Sequence, residues 1–484
     1  METLREKTVK GFFWTGTAKI LEQLSHWVIS IILARLLFPT DYGLMAMAMI
    51  FMQFFHHFRE FSIGGAIVQK KEIDNLCINS AFWFLCFTGL VAFALIFLSS
   101  DFIGMFFKEN RLPEILIVLG LTLILSSLTS VPISLLSKEL HFDKVALART
   151  FSIVTMGLVS VLFAYLGHGV WSLVYGAITR NLILTVLSFY FARWKPGFEY
   201  SFESIKPLFS FGIPMTGAKF LTYLIQNADY FIVGKFLGGE LLGLYYMAFN
   251  LSSKPIGQVA FLINEVNYPV FSKLQDSMDE LKNHFLTSTR YLTLIVFPAM
   301  IGLFLIADDF VITLLGEKWV PMVATFKILS IVGIFKSLEV LITPLLYGKG
   351  ESRIVFRYSL ISAIVLTLSF LVGVKFGISG VAFSWLVAYP PLLLYILLLG
   401  LKEIGISLID YIKSVIPAVS GTVFMAAVVV VSQVIRVDNP LLGMVISIVI
   451  GITSYVSFLW ITNREISEEL KNVVSFLIFK RTRV

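Results

Sequence analysis

The chain has 484 residues, 57% of them hydrophobic and only 14% charged, with a mean hydropathy of +0.86. That usage excludes a water-soluble globular domain, in which about a quarter of residues are charged, and calls for a bilayer. The net charge of +7 does not indicate a nucleic-acid partner, because the Lys and Arg residues sit mainly in the connections between apolar stretches.

Windows of about 20 apolar residues, enough to cross about 30 Å of hydrocarbon as helices, can be placed about fourteen times. They lie near 10–33, 42–58, 78–99, 114–136, 145–166, 170–191, 207–233, 241–264, 291–306, 321–346, 357–374, 379–400, 412–432 and 441–462. Residues 1–10 are charged like the start of a signal peptide, but Lys19 and Glu22 interrupt the apolar run behind them and no small-residue cleavage site follows. The expectation is an uncleaved first span.

In that span Lys19, Glu22, Gln23 and His26 are spaced i, i+3, i+4 and i+7, which sets them on one helix face. His56, His57, Arg59 and Glu60 follow the second span and are candidates for a cytoplasmic gate; adjacent histidines point to different faces, which argues against a metal site. Cys77 and Cys86 have no metal-ligand partners within reach in sequence and read as core thiols. Arg149, like Arg290, sits at the inner end of a span and reads as an anchor. Arg180, near the middle of the sixth span beside Asn181, has no such role open to it and is a cavity candidate.

The seventh span repeats the first. Residues 18–48 recur without a gap at 218–248, with identity at Ala18-Lys19/Ala218-Lys219, Leu37/Leu237, Gly43-Leu44/Gly243-Leu244 and Met47-Ala48/Met247-Ala248. Lys219, Tyr223 and Gln226 restate the polar face, with Asn227 and Asp229 nearby. A charge at the bilayer centre costs about 2.5–3.5 kcal/mol, so these stripes are expected to face water or one another. Further along, Lys254, Lys327 and Lys336 lie within spans, and Glu339 is three residues beyond Lys336. Pairing at i, i+3 is an alternative for Lys19 with Glu22 and for Lys336 with Glu339, and Lys327 is placed to snorkel. Asp308-Asp309 reads as a solvated loop.

Six crossings separate the two copies, so both enter from the same side, as in parallel repeats whose six-helix bundles, 1–200 and 201–400, face each other across a central site. Residues 401–484 add two further spans and a cytoplasmic tail. Residues 276–285 form a polar amphipathic run expected to lie as a short surface helix. Ile466, Leu470, Val473, Val474 and Leu477, followed by Lys480, Arg481 and Arg483, have the pattern of an interfacial helix held by membrane lipid. With the N-terminus inside, cytoplasmic segments hold about 25 basic residues against about 7 outside, which puts both termini in the cytoplasm.

Basic residues outnumber the clear intramembrane acids Glu22, Asp229 and Glu339, so a wet cavity between the bundles attracts anions, with phosphate or pyrophosphate the obvious membrane-borne one. No phosphate-binding loop, H-E-x-x-H or nucleophile elbow occurs, which argues against ATP hydrolysis and enzymatic chemistry.

The run Ala34-Arg35-Leu36-Leu37-Phe38-Pro39-Thr40-Asp41-Tyr42-Gly43-Leu44, together with Asn227-Ala228-Asp229-Tyr230-Phe231-Ile232-Val233-Gly234, Gly243-Leu244-Tyr245-Tyr246-Met247-Ala248 and Tyr268-Pro269-Val270-Phe271-Ser272-Lys273, resembles the Wzx-type polysaccharide exporters of the multidrug/oligosaccharidyl-lipid/polysaccharide superfamily, in the branch holding colanic acid and teichuronic acid exporters. The resemblance implies an all-α integral membrane protein of the bacterial inner membrane. On it the chain is expected to move an undecaprenyl-pyrophosphate-linked oligosaccharide by alternating access, without a cofactor and with a polysaccharide polymerase as a candidate partner; the sequence sets no oligomeric state, and a monomer is compatible with it. On this resemblance Lys19, Arg180, Lys219 and Lys254 hold the head group and Glu22, His26 and Asp229 tune charge or couple ions. His56, Arg59, Lys336 and Glu339 are the candidate gate residues. The alternatives are a multidrug or cation exporter of the same superfamily and an integral-membrane polymerase or glycosyltransferase; short outer loops argue against the latter.

Overall fold

The computed structural model describes residues 22–23, 25–60, 63–70, 72–274, 277–435 and 437–463; side chains at 58, 60, 210–222, 261–262, 264–266, 268–269 and 272 are outside that description. Lys19, the side chain of Lys219 and the amphipathic tail beyond 463 therefore lie outside the described residues. Every main regular element among the described residues is helical. In chain order these are α1 (Ser25–Leu36), α2 (Pro39–Glu60), α3 (Ile63–Gln69), α4 (Asn75–Phe107), α5 (Leu112–Lys138), α6 (Phe142–Tyr165), α7 (Val170–Ala192), α8 (Phe202–Lys273), α9 (Met278–Leu305), α10 (Ala307–Phe310), α11 (Val323–Glu339), α12 (Ile342–Gly348), α13 (Ser352–Gly373), α14 (Gly377–Glu403), α15 (Leu408–Gln433) and α16 (Pro440–Thr462).

Among the described residues ten stretches are long and apolar enough to cross a membrane. Two of them, Tyr223–Ala260 and Ser352–Glu403, each take in parts of two expected spans, and α1 and α2 supply the first two, so the helices are consistent with about fourteen crossings. The chain departs from helical geometry at glycines. At Gly238, inside α8, φ is 85° and ψ is −179°, and Gly377, at φ 75°, opens α14; both are conformations that a Cβ disfavours. Pro298 and Pro390, by contrast, are carried inside α9 and α14. The short surface helix expected over 276–285 is not separate: from Met278 onward it is the first part of α9. Nothing between it and the apolar stretch breaks helix, and Asp279 and Glu280 favour the helix N-terminus at which they fall.

Backbone contacts divide the chain into two compact units, Met1–Tyr246 and Met247–Val484, with the division inside α8. In the first unit α4 packs on α5, α5 on α7 and α6 on α7; in the second α9 packs on α11, α11 on α14 and α13 on α14. The same order of neighbours thus occurs twice, with α15 and α16 added against α9 and each other. Lipid is as apolar as leucine, so helices associate largely through close packing at small residues. Gly89 against Ser127 and Gly176 against Ser160 are two such contacts.

The first part of α8 belongs to the first unit because of specific bonds. The Tyr223 hydroxyl donates to the Ile50 carbonyl of α2, and Lys235 Nζ donates to the Phe106 carbonyl at 2.6 Å while lying over that residue's ring. Here the sequence repeat acquires a packing reason. A Cβ on Gly43 would strike the backbone of Gly239, and one on Gly243 would strike that of Pro39. Gly43 and Gly243 are equivalent in the repeat, as are Pro39 and Gly239, so each copy makes the same contact on the other, the reciprocity of a two-fold relation. Asp41, in the same turn, accepts from Phe38 N at 3.0 Å and is buried, a structural part of the α1–α2 turn.

Candidate functional site

The first unit holds a cavity of about 670 Å³, lined from α1, α2, α5, α6, α7 and Tyr246. This lies within the range of about 300–1,000 Å³ usual for small-molecule sites. Its basic side chains come from four helices: His26 on α1, His56 and Arg59 on α2, Arg149 on α6 and Arg180 on α7. No Asp or Glu lines it among the described residues.

The three arginines are held differently. Arg59 is 3% exposed and donates from Nη1 to Ser127 Oγ at 2.6 Å, with His56 Nε2 3.3 Å from Nη2. The Ser127 hydroxyl itself donates to Leu123 O at 2.8 Å, so the guanidinium is fixed to the side of α5. Arg149 and Arg180 are exposed and face the cavity, within electrostatic reach of each other, and Glu22 acts on Arg180 from α1's end of the chain. Below Arg180, Asn181 Nδ2 bonds to Ala177 O at 2.8 Å, and Thr185 meets Thr129 at 2.7 Å, pinning α7 to α5. A guanidinium presents several donors in a plane and matches a phosphate or carboxylate at two points. Two open guanidiniums and a buried third therefore favour a polyanionic group.

Of the residues singled out from sequence, the cavity gathers His26, His56, Arg59 and Arg180, and adds Arg149, expected to be an anchor. A position two turns inside the end of a helix reads the same whether it faces head groups or a neighbouring helix, so sequence carried no signal for Arg149. The second unit holds Lys254, on α8, and Lys336 with Glu339, on α11. Lys336 Nζ lies 3.6 Å from the Trp385 ring centroid and 4.4 Å from that of Phe249. Glu339 accepts from Tyr358 Oη at 2.8 Å and from Tyr389 Oη. Lys327, expected to snorkel, pairs with Asp308 at 2.5 Å, which draws one of the two loop acids into an ion pair. Cys77 and Cys86 are both free, with Cys77 buried and its thiol on Ser204 O at 3.1 Å.

Asp229 is fully buried and does not line the cavity; it accepts from Tyr245 Oη and from Tyr230 N, both at 2.8 Å. Replacing Asp229 by Ala removes the acceptor from a buried hydroxyl and is expected to cost about 1–3 kcal/mol, with Asn recovering most of it. Thermal melting of the purified protein checks this, and equal losses for Ala and Asn would instead mark the charge itself as essential.

A bundle of membrane-spanning helices with its packing order repeated and a polar cavity sunk within one unit is the architecture of a membrane transporter. The chain belongs to the family described as polysaccharide biosynthesis protein, whose pattern matches residues 32–324. It is 27% identical over 387 residues to the lipopolysaccharide biosynthesis protein WzxC of Escherichia coli, covering 79% of each chain. To the teichuronic acid biosynthesis protein TuaB of Bacillus subtilis it is 25% identical over 401 residues, covering 80% of each. Its fold matches that of the lipid II flippase MurJ in an inward closed conformation, at TM-score 0.77 and 15% identity, over 93% of this chain and 99% of that one.

Proposed function

We propose that this protein is a flippase that carries undecaprenyl-pyrophosphate-linked oligosaccharide repeat units across the bacterial cytoplasmic membrane for surface polysaccharide export, by alternating access and without bond chemistry. The convergence of Arg59, Arg149, Arg180, His26 and His56 on one cavity carries the reading. The arginines receive the diphosphate; Lys19 and Lys219 are assigned to head-group binding from the sequence, as is Lys254 within the second unit, and Glu22, His26 and Asp229 to charge tuning or ion coupling. Lys336 and Glu339 are assigned to gating. Both termini face the cytoplasm, in line with the distribution of Lys and Arg, a monomer suffices, and a polysaccharide polymerase takes the flipped product. The relatives named for lipopolysaccharide and teichuronic acid synthesis, and the flippase fold, support this substrate class.

A cation or drug exporter would need carboxylates where this cavity has guanidiniums. Deleting the gene is expected to abolish the surface polymer and to accumulate its lipid-linked repeat unit on the cytoplasmic leaflet. Unchanged polymer with altered sensitivity to cationic drugs would reverse the assignment.

A further inference from the structure

The cavity has two chemically different walls. Helices α1, α2, α6 and α7 supply its basic side chains, whereas α5 supplies none, only hydroxyls and aliphatic side chains. Thr122, Ser126, Ser130 and Ser134 follow one another at i, i+4, i+8 and i+12, a single strip along the helix. At 1.5 Å per residue the strip is about 18 Å long, room for several sugar residues. Leu119, Leu123 and Ile133 line the cavity beside it.

Three of the strip's four hydroxyl protons are already engaged. Thr122 Oγ1 donates to Leu119 O at 2.6 Å, Ser126 Oγ to Thr122 O at 2.6 Å and Ser134 Oγ to Ser130 O at 2.8 Å. A hydroxyl has one proton and two lone pairs, so these groups offer acceptors to the cavity. A ligand bringing O–H or N–H donors is bound with the backbone bonds intact. A carboxylate or phosphate brings only acceptors and gains nothing from these three groups unless a backbone bond is first broken. The aliphatic neighbours suit the C–H faces of a sugar ring.

We infer that the cavity-facing strip of α5 is the sugar-reading wall of this site and that it selects uncharged, donor-bearing hexoses, including N-acetylated ones, over acidic sugars. The inference rests on the flippase reading above and divides its site: the arginines hold the diphosphate, and α5 reads the first sugars.

The test uses the purified full-length protein in lipid nanodiscs, titrated with undecaprenyl pyrophosphate, with the same carrier bearing a neutral N-acetylhexosamine–hexose disaccharide, and with the carrier bearing a hexuronic acid. The wild type is expected to bind the neutral-sugar ligand about tenfold more tightly than the bare carrier. The double substitution Ser126→Ala with Ser134→Ala is expected to remove most of that gain, roughly five- to tenfold, and to weaken the uronate ligand, which keeps its ring hydroxyls but brings a carboxylate in place of one donor, by a smaller factor. Alanine is the better helix former, so folding is not put at risk, and Thr122→Ser, which keeps a hydroxyl, retains the preference. An unchanged preference in the double variant, an equal loss on all three ligands, or a wild type indifferent to the sugar overturns the inference alone. A wild type that binds none of the three overturns the flippase reading, and the inference with it.

Discussion

Replacing Arg180 by Gln is expected to lower export by about ten- to a hundredfold while leaving the empty protein as stable as before, or more so. Hydrogen bonds to a charged partner are worth about 1.5–3 kcal/mol each, which sets the size of the loss. The stability expectation follows from neighbours of opposite sign: Glu22 attracts Arg180 and Arg149 repels it, so exchanging the charge for an amide loses one interaction while it relieves the other in a cavity without its anion. Sites built to bind charge commonly carry such a stability cost. Lys at this position keeps the charge and loses the planar pair of donors, and an intermediate rate is expected. The measurement is the rate at which lipid-linked oligosaccharide reaches the outer leaflet, beside a melting curve with and without inorganic pyrophosphate. Export and stability falling together would make Arg180 a packing residue, and pyrophosphate would then fail to raise the wild-type melting point.

The second large effect belongs to the repeat glycines. Gly43→Ala and Gly243→Ala each place a methyl group into the backbone of the opposite copy, where no side chain can swing aside. Overpacking of this kind costs about 1–3 kcal/mol or more, and here the obstacle is main chain. Both variants are expected to lose most folded protein from the membrane. Gly302→Ala is the control, since nothing lies within 4 Å of the added carbon. Normal levels of both Gly43→Ala and Gly243→Ala by membrane immunoblot, with export intact, would show that the contact is not needed. Equal sensitivity at the two positions is the signature expected of a two-fold contact; damage at only one would mean that the copies have diverged in use.

Part of this site can be read from the amino-acid sequence. Arg180 stands out because a guanidinium in mid-span needs water or a partner, and it does face the cavity. His26 stands on a polar face and lines the cavity too. Arg59 and His56 are visible as a polar group after the second span, but a gate and a cavity wall demand the same residue types at the same spacing. Asp229 carries the same signal as Arg180, yet it is enclosed by Tyr230 and Tyr245, whose amide and hydroxyl satisfy it. The hydroxyls of α5 carry no signal. A serine bonded back to its own helix is tolerated toward lipid, a neighbour or water alike.

Residue order alone is enough to put the chain in a bilayer, to place its apolar stretches along the chain, and to show that its first and seventh spans are copies. Those properties follow from local requirements, since a backbone in hydrocarbon must satisfy its own hydrogen bonds and span a fixed thickness. Which face of each helix meets lipid, a neighbour or the cavity is set by packing at long range. Lipid tails and packed side chains are equally apolar, so hydropathy cannot tell them apart, and the choice falls to distant fits such as Gly43 on Gly239 and Arg59 on Ser127.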